Sequence, residues 1–202
     1  MESRSSFERL GGVSAVLAGL AGLGYSAAFV VYLHTSSRGA SYADSILLVA
    51  GGLLSTVTFV ALYGRLRATD EGFALLGLVL GLAAALGSTM HGAYDLANLV
   101  KPPAALSADV PSSTDPRGLA TFALAGVGLA VAGSLIVRGR ALPTGLGYLA
   151  FLAAALLVFV YVGRLVILDP NSPGLHAGAV IAGFVVNPAW YIWLGSALWR
   201  RA

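Results

Sequence analysis

Six hydrophobic stretches, each long enough to cross a bilayer, occupy almost the whole 202-residue chain. A spanning helix needs roughly 20 mostly apolar residues to cross a hydrocarbon core about 30 Å thick. The stretches run near 10–33, 45–66, 73–99, 119–137, 145–168 and 176–199. The expected fold is therefore all-α, a polytopic transmembrane bundle of six helices in one domain. Hydrophobic residues make up 57% of the chain and charged residues 10%. A soluble domain carries about 25% charged residues, so the composition excludes a soluble reading. The connectors, roughly six to twenty residues each, leave no room for an extramembrane domain. Cysteine is absent, which removes thiolate metal sites and cysteine nucleophiles. The first stretch is too long for a secretory leader, and no small-x-small cleavage site precedes polar sequence.

The basic residues set an expected orientation. Assigning connectors alternately to two sides puts Arg4, Arg9, Arg65, Arg67, Arg138, Arg140, Arg200 and Arg201 on one side, against Arg38, Lys101 and Arg117 on the other. By the positive-inside rule both termini are expected in the cytoplasm, with the chain in a bacterial inner membrane. Because the arginines pair at helix ends rather than forming a patch, nucleic acid is not expected as a partner despite the formal charge of +3. The expected partner is the lipid bilayer, together with a small-molecule ligand; no protein partner is specified. Gly77, Gly81 and Ala85, and likewise Ala15, Gly19 and Gly22, are spaced for close helix approach. Packing within the chain is the expected use of both stripes rather than dimerisation.

The longest connector, 100–118, holds Pro102, Pro103, Pro111 and Pro116 and is expected on the outer side as an irregular loop. A tether between halves is its expected role, with a lid as the alternative. It divides the chain into three helices plus three, and Ala18–Gly24 shares an Ala/Gly/Leu texture with Ala123–Ala130. An odd-numbered repeat of this kind would be inverted, as in many transporters.

Ionisable residues at membrane depth are costly and mark functional candidates. Ser88, His91, Asp95 and Asn98 are spaced to share one face of the third helix. At 1.5 Å per residue, His91 lies about 27 Å from Phe73, at the outer edge of the membrane. Arg164 and His176, together with His34, fall at a similar height. Two readings follow: an Asp95–Arg164 pair that locks the bundle, or a polar pocket facing outward that binds a small molecule or an ion. Asn187, about 16 Å below the outer end, would line the pocket floor. Ser55 and Thr58 would face the same cavity or bond their own helix. A metal reading would use His91, Asp95 and His176 or His34, but no His-x-x-x-His pattern supports it, so neither a metal nor another cofactor is expected. A Ser88–His91 hydrolase lacks any oxyanion hole in the sequence, and no catalytic residue is assigned. Asn187-Pro188-Ala189 matches the aquaporin signature, yet aquaporins need two copies and this chain has one. The expected role of Pro188 is a helix kink.

Three further stretches carry a family resemblance. They are Val60–Leu76, VALYGRLRATDEGFALL; Arg140–Leu152, RALPTGLGYLAFL; and Pro188–Arg201, PAWYIWLGSALWRR. In order and spacing they resemble an uncharacterised bacterial membrane family, domain of unknown function 4386. The resemblance implies a bundle of six or seven helices and brings no reaction, cofactor or catalytic residue. The small six-helix size also resembles the substrate-binding subunits of energy-coupling-factor vitamin transporters. The function expected from these readings is binding or transport of a small molecule or ion. A structural or accessory subunit and a metal-dependent membrane hydrolase are the alternatives.

Overall fold

A computed structural model describes residues 2–101, 118–167 and 172–200, with side chains for 6–101, 118–163 and 172–200. The described residues form six long helices and short turns, with no strand among them. They are α1 (Glu2–Thr35), α2 (Arg38–Leu66), α3 (Glu71–Val100), α4 (Leu119–Gly139), α5 (Thr144–Ile167) and α6 (Pro173–Trp199). Each is long and apolar enough to cross a membrane. The 100–118 loop lies outside the described residues apart from its edges, as does the end of the fifth span at Leu168.

The helices run up and down, each against its neighbour in sequence, and α1 closes the ring against α6. Both termini therefore stand at one end, called here the terminal end; the other is the distal end. Gly12 meets Gly195, Gly19 meets Pro188, and Gly183 meets Ser26, so α1 and α6 are antiparallel. Small residues make these approaches possible. A Cβ on Gly92 would stand 2.6 Å from the Ser45 carbonyl oxygen, and one on Gly126 would stand 3.0 Å from that of Ala154. Helices in lipid gain little from hydrophobic exclusion, so close backbone contact supplies much of the attraction. Gly81 lies against the Phe59 ring of α2 and Gly77 against Val131 of α4, so the α3 stripe packs within the chain. Gly22 breaks the α1 pattern, because a Cβ there would meet nothing within 4 Å.

The centre of the bundle is Trp190, fully buried with Leu135, Ile136, Leu146, Leu194 and Leu198. Its ring lies 6.4 Å from Phe59 and edge-on to Tyr191 at 5.0 Å. Leucines, valines and aromatics on the outer faces, such as Val79, Leu86, Phe159 and Trp199, are exposed. In a soluble protein that surface would aggregate; around this bundle it is the face offered to acyl chains.

Polar ties sit at the ends. Arg65 pairs with Glu8 at 2.8 Å, joining α2 to α1 at the terminal end. The α2–α3 turn meets the end of α4, where Arg138 approaches Asp70 at 3.8 Å and lies over the Phe73 ring at 5.4 Å. Asp70 also caps α3 by accepting from the Phe73 N–H at 3.1 Å.

α2 begins at Arg38, well before the 45 that hydropathy alone suggests. The cause is local. Ser36 adopts a left-handed conformation (φ 51°) and ends α1. Ser37 then caps α2 through its side chain, which accepts from the Ala40 N–H at 3.4 Å. The α1–α2 connection is only Ser36–Ser37, and the segment read as a loop is helix.

Candidate functional site

The early start of α2 carries Asp44 into the bundle. It stands six residues inside the distal start of α2, about 9 Å along the axis, and Asp95 stands five residues inside the distal end of α3, about 8 Å. Two carboxyl groups from neighbouring antiparallel helices thus share one height. Asp44 is 9% exposed, and its neighbour Ser45 lies against Gly92 of α3, about one turn before Asp95. Gly92 makes this possible: with no side chain there, α3 presses its backbone against Ser45 and Val49 of α2.

The local contacts are specific. The Ser45 hydroxyl lies 2.8 Å from the Ser41 carbonyl oxygen and 3.2 Å from Asp44 Oδ1. His91 Nε2 lies 3.4 Å from Asp95 Oδ2, one helical turn away, with the histidine more buried than the carboxylate at 19% against 41% side-chain exposure. The α2–α3 seam is also tied at the rim. Arg38 Nη2 donates to the Leu99 carbonyl at 3.3 Å and the Tyr42 hydroxyl donates to the same oxygen at 3.1 Å. That carbonyl is in the last turn of α3, where a helix offers unsatisfied acceptors and favours a cation.

The sequence-predicted residues divide. His91 and Asp95 are brought together on α3, and Asp44, which hydropathy left in a loop, joins them. Ser88 turns back to its own helix and donates to the Ala84 carbonyl at 3.1 Å. Asn98 is half-buried on the same helix, a turn beyond Asp95. Arg164 lies on the distal part of α5, but its side chain is outside the described residues. His176 is exposed at the start of α6. His34 is exposed at the end of α1, with Nδ1 2.9 Å from the Val30 carbonyl oxygen. Among the described residues no three His, Asp or Glu side chains gather as metal ligands. An apolar crevice between α2, α3 and α4, lined by Phe59, Leu62, Tyr63, Ala74, Gly77 and Leu135, is at the terminal end and holds none of these groups.

Asn187 is half-buried within continuous helix α6, not at the head of a half-helix. It follows a π-helical turn, Ile181–Val186, and its N–H donates to the Ala182 carbonyl five residues back. Pro188 explains the turn. A proline ring collides with the carbonyl four residues before it and donates no hydrogen bond. Widening the preceding turn relieves that collision.

Most hydroxyls in the spans bond their own helix, as Thr58 does to Leu54 at 2.9 Å and Ser26 to Gly22 at 3.0 Å. Ser55 differs, donating across helices to the Tyr191 hydroxyl at 2.9 Å. Interhelical bonds of this kind contribute about 0.6 kcal/mol on average. Tyr191→Phe and Ser55→Ala should therefore each lower unfolding stability by about 1 kcal/mol. The double variant should lose no more than either single, as read by denaturant titration in mixed micelles.

Compared with protein-family models, curated proteins and solved structures, the chain matches none. The reading of the distal layer rests on its own geometry.

Proposed function

We propose that this chain is a multi-pass membrane protein that binds, and moves or hands on, a small molecule or ion at the distal layer of Asp44, His91 and Asp95. The observation that carries the reading is that two carboxyl groups stand at one height on adjacent helices, one of them beside a histidine, in a bundle whose other described acids stand at the terminal end or its turns. Ionisable side chains at membrane depth are costly and mark ligand or ion sites by default. A proton, an ion or the cationic group of a small ligand is the chemistry that such acids take up. The arginine distribution supports a cytoplasmic terminal end and a distal layer on the outer face of a bacterial inner membrane. The resemblance to the uncharacterised bacterial family fits this location and adds no chemistry.

Native mass spectrometry of gently extracted protein tests the reading. A small species bound in defined ratio is expected, and Asp44→Asn and Asp95→Asn should each lose it. Bound ligand at a hundred times its dissociation constant stabilises by about 2.7 kcal/mol, so the parent protein should also melt higher than either variant when that species is added. A parent with nothing bound, and variants that only melt lower, would make the layer a structural clasp.

A further inference from the structure

The two halves of α6 are held in different ways. From Asn187 to Trp199 the helix is locked against α1. Gly19 faces the Pro188 carbonyl and the Tyr191 Cβ, and Gly12 faces the Gly195 carbonyl, with no side chain between. Trp190, Leu194 and Leu198 are fully buried in the core, and Ser55 fastens Tyr191 to α2. The contact between Gly183 and Ser26 is the last close approach between the two helices towards the distal end.

Beyond it α1 and α6 part. Among the described residues Pro173–Val180 packs on α5, where Gly178 meets Phe159 and Val160, and it has no substantial contact with α1. Most of that segment is exposed, including His176, Ala177, Ala179 and Val180, and only Leu175 and Gly178 are buried. In the distal part of α1, Val31, Tyr32, Leu33 and His34 are exposed as well. The α1–α6 seam is thus closed over the terminal half and open over the distal half.

The boundary between the two halves coincides with the π turn at Ile181–Val186 and with Pro188. That stretch departs from the regular backbone ladder of α6. Its turn is widened, and Pro188 removes one N–H donor. A helix that is fixed on one side of such a point and supported by a single neighbour on the other can bend there without breaking a packed core.

We infer that Pro173–Val180 is a gate hinged at the π turn Ile181–Val186, which swings relative to α1 and opens or closes the distal α1–α6 seam. The hinge stands whether or not the carboxylate layer binds anything, so the two proposals fail separately. Motion of the gate would move His176, near its free end, relative to the α2–α3 pair.

The absence of cysteine allows a direct test. Spin labels at Val31→Cys and Val180→Cys report the distal seam, and labels at Val13→Cys and Trp199→Cys report the locked half, all at lipid-facing positions. In nanodiscs, pulsed dipolar spectroscopy should give a distal distance distribution about twofold broader than the terminal one. Pro188→Ala, which restores an N–H to the ladder, should narrow the distal distribution and leave the terminal one unchanged. A distal pair as narrow as the terminal pair would overturn the gate. A broad distal pair that Pro188→Ala does not narrow would overturn the hinge position.

Discussion

Trp190→Ala is expected to lower unfolding stability by about 3 kcal/mol, measured by denaturant titration in mixed micelles. Trp190 has no exposed surface, and it touches the aromatic rings of Phe59 and Tyr191 within a cluster drawn from all six helices. Removing the indole leaves a void that neighbours on separate helices cannot fill without moving apart. In lipid the loss is mostly of dispersion contacts, since the apolar side chains need no shelter from water. Trp190→Phe should be much milder. The Trp190 Nε1 atom is buried with no hydrogen-bond partner among the described residues. Phenylalanine keeps most of the volume and removes that unsatisfied donor, which offsets part of the lost contact. Equal losses for the two variants would mean that the indole shape, rather than bulk, holds the core.

Much of this architecture is legible in the sequence because the bilayer imposes a single rule, that backbone groups bond within their own helix. Each apolar stretch became a helix, and both stripes of small residues were visible as Gly and Ala at helical spacing. The errors came where hydropathy and helix geometry separate. A window that follows apolar residues starts the second span at 45, since Arg38, Ser41, Tyr42 and Asp44 dilute the average. The backbone responds instead to Ser37, a capping residue that satisfies an N–H of the first turn. One missed cap displaced Asp44 from the membrane to a loop and so hid half of the carboxyl pair.

The polar layer was partly legible for the same reason. His91 and Asp95 are four residues apart, and that spacing alone predicts their contact on any helix. Which groups on other helices meet them depends on interhelical register, and no local pattern encodes that. His34 and His176 illustrate the limit. Both lie at the distal end as expected, yet both are exposed at helix termini rather than turned into the layer. Ser55 shows it from the other side, because nothing near it in sequence distinguishes it from Thr58, which bonds its own helix. Pro188 announced a distortion, but not that it would take the form of a π turn or that the α1–α6 seam would open beside it.

Gly195→Ala should lower stability by about 3 kcal/mol, the upper range for overpacking, although it adds a single methyl group. A Cβ on Gly195 would lie 2.5 Å from the Gly12 carbonyl oxygen and 3.0 Å from the Val16 backbone nitrogen. Neither obstacle is the end of a flexible side chain, so the helices themselves must separate. Gly12→Ala acts on the same crossing, where its Cβ would lie 2.9 Å from the Gly195 carbonyl oxygen. Once one methyl group has forced α1 and α6 apart the second meets less resistance, so the double variant should fall short of the sum of the singles. Gly22→Ala is the control on the same helix. It points into open space and should change stability by no more than about 0.5 kcal/mol. The contrast discriminates between contact and composition, because all three changes add one methyl group to a glycine in the α1–α6 pair. A Gly195→Ala variant as stable as Gly22→Ala would mean that the terminal half of the seam is not in backbone contact, and α6 would then lack the fixed half that a hinge at the π turn requires.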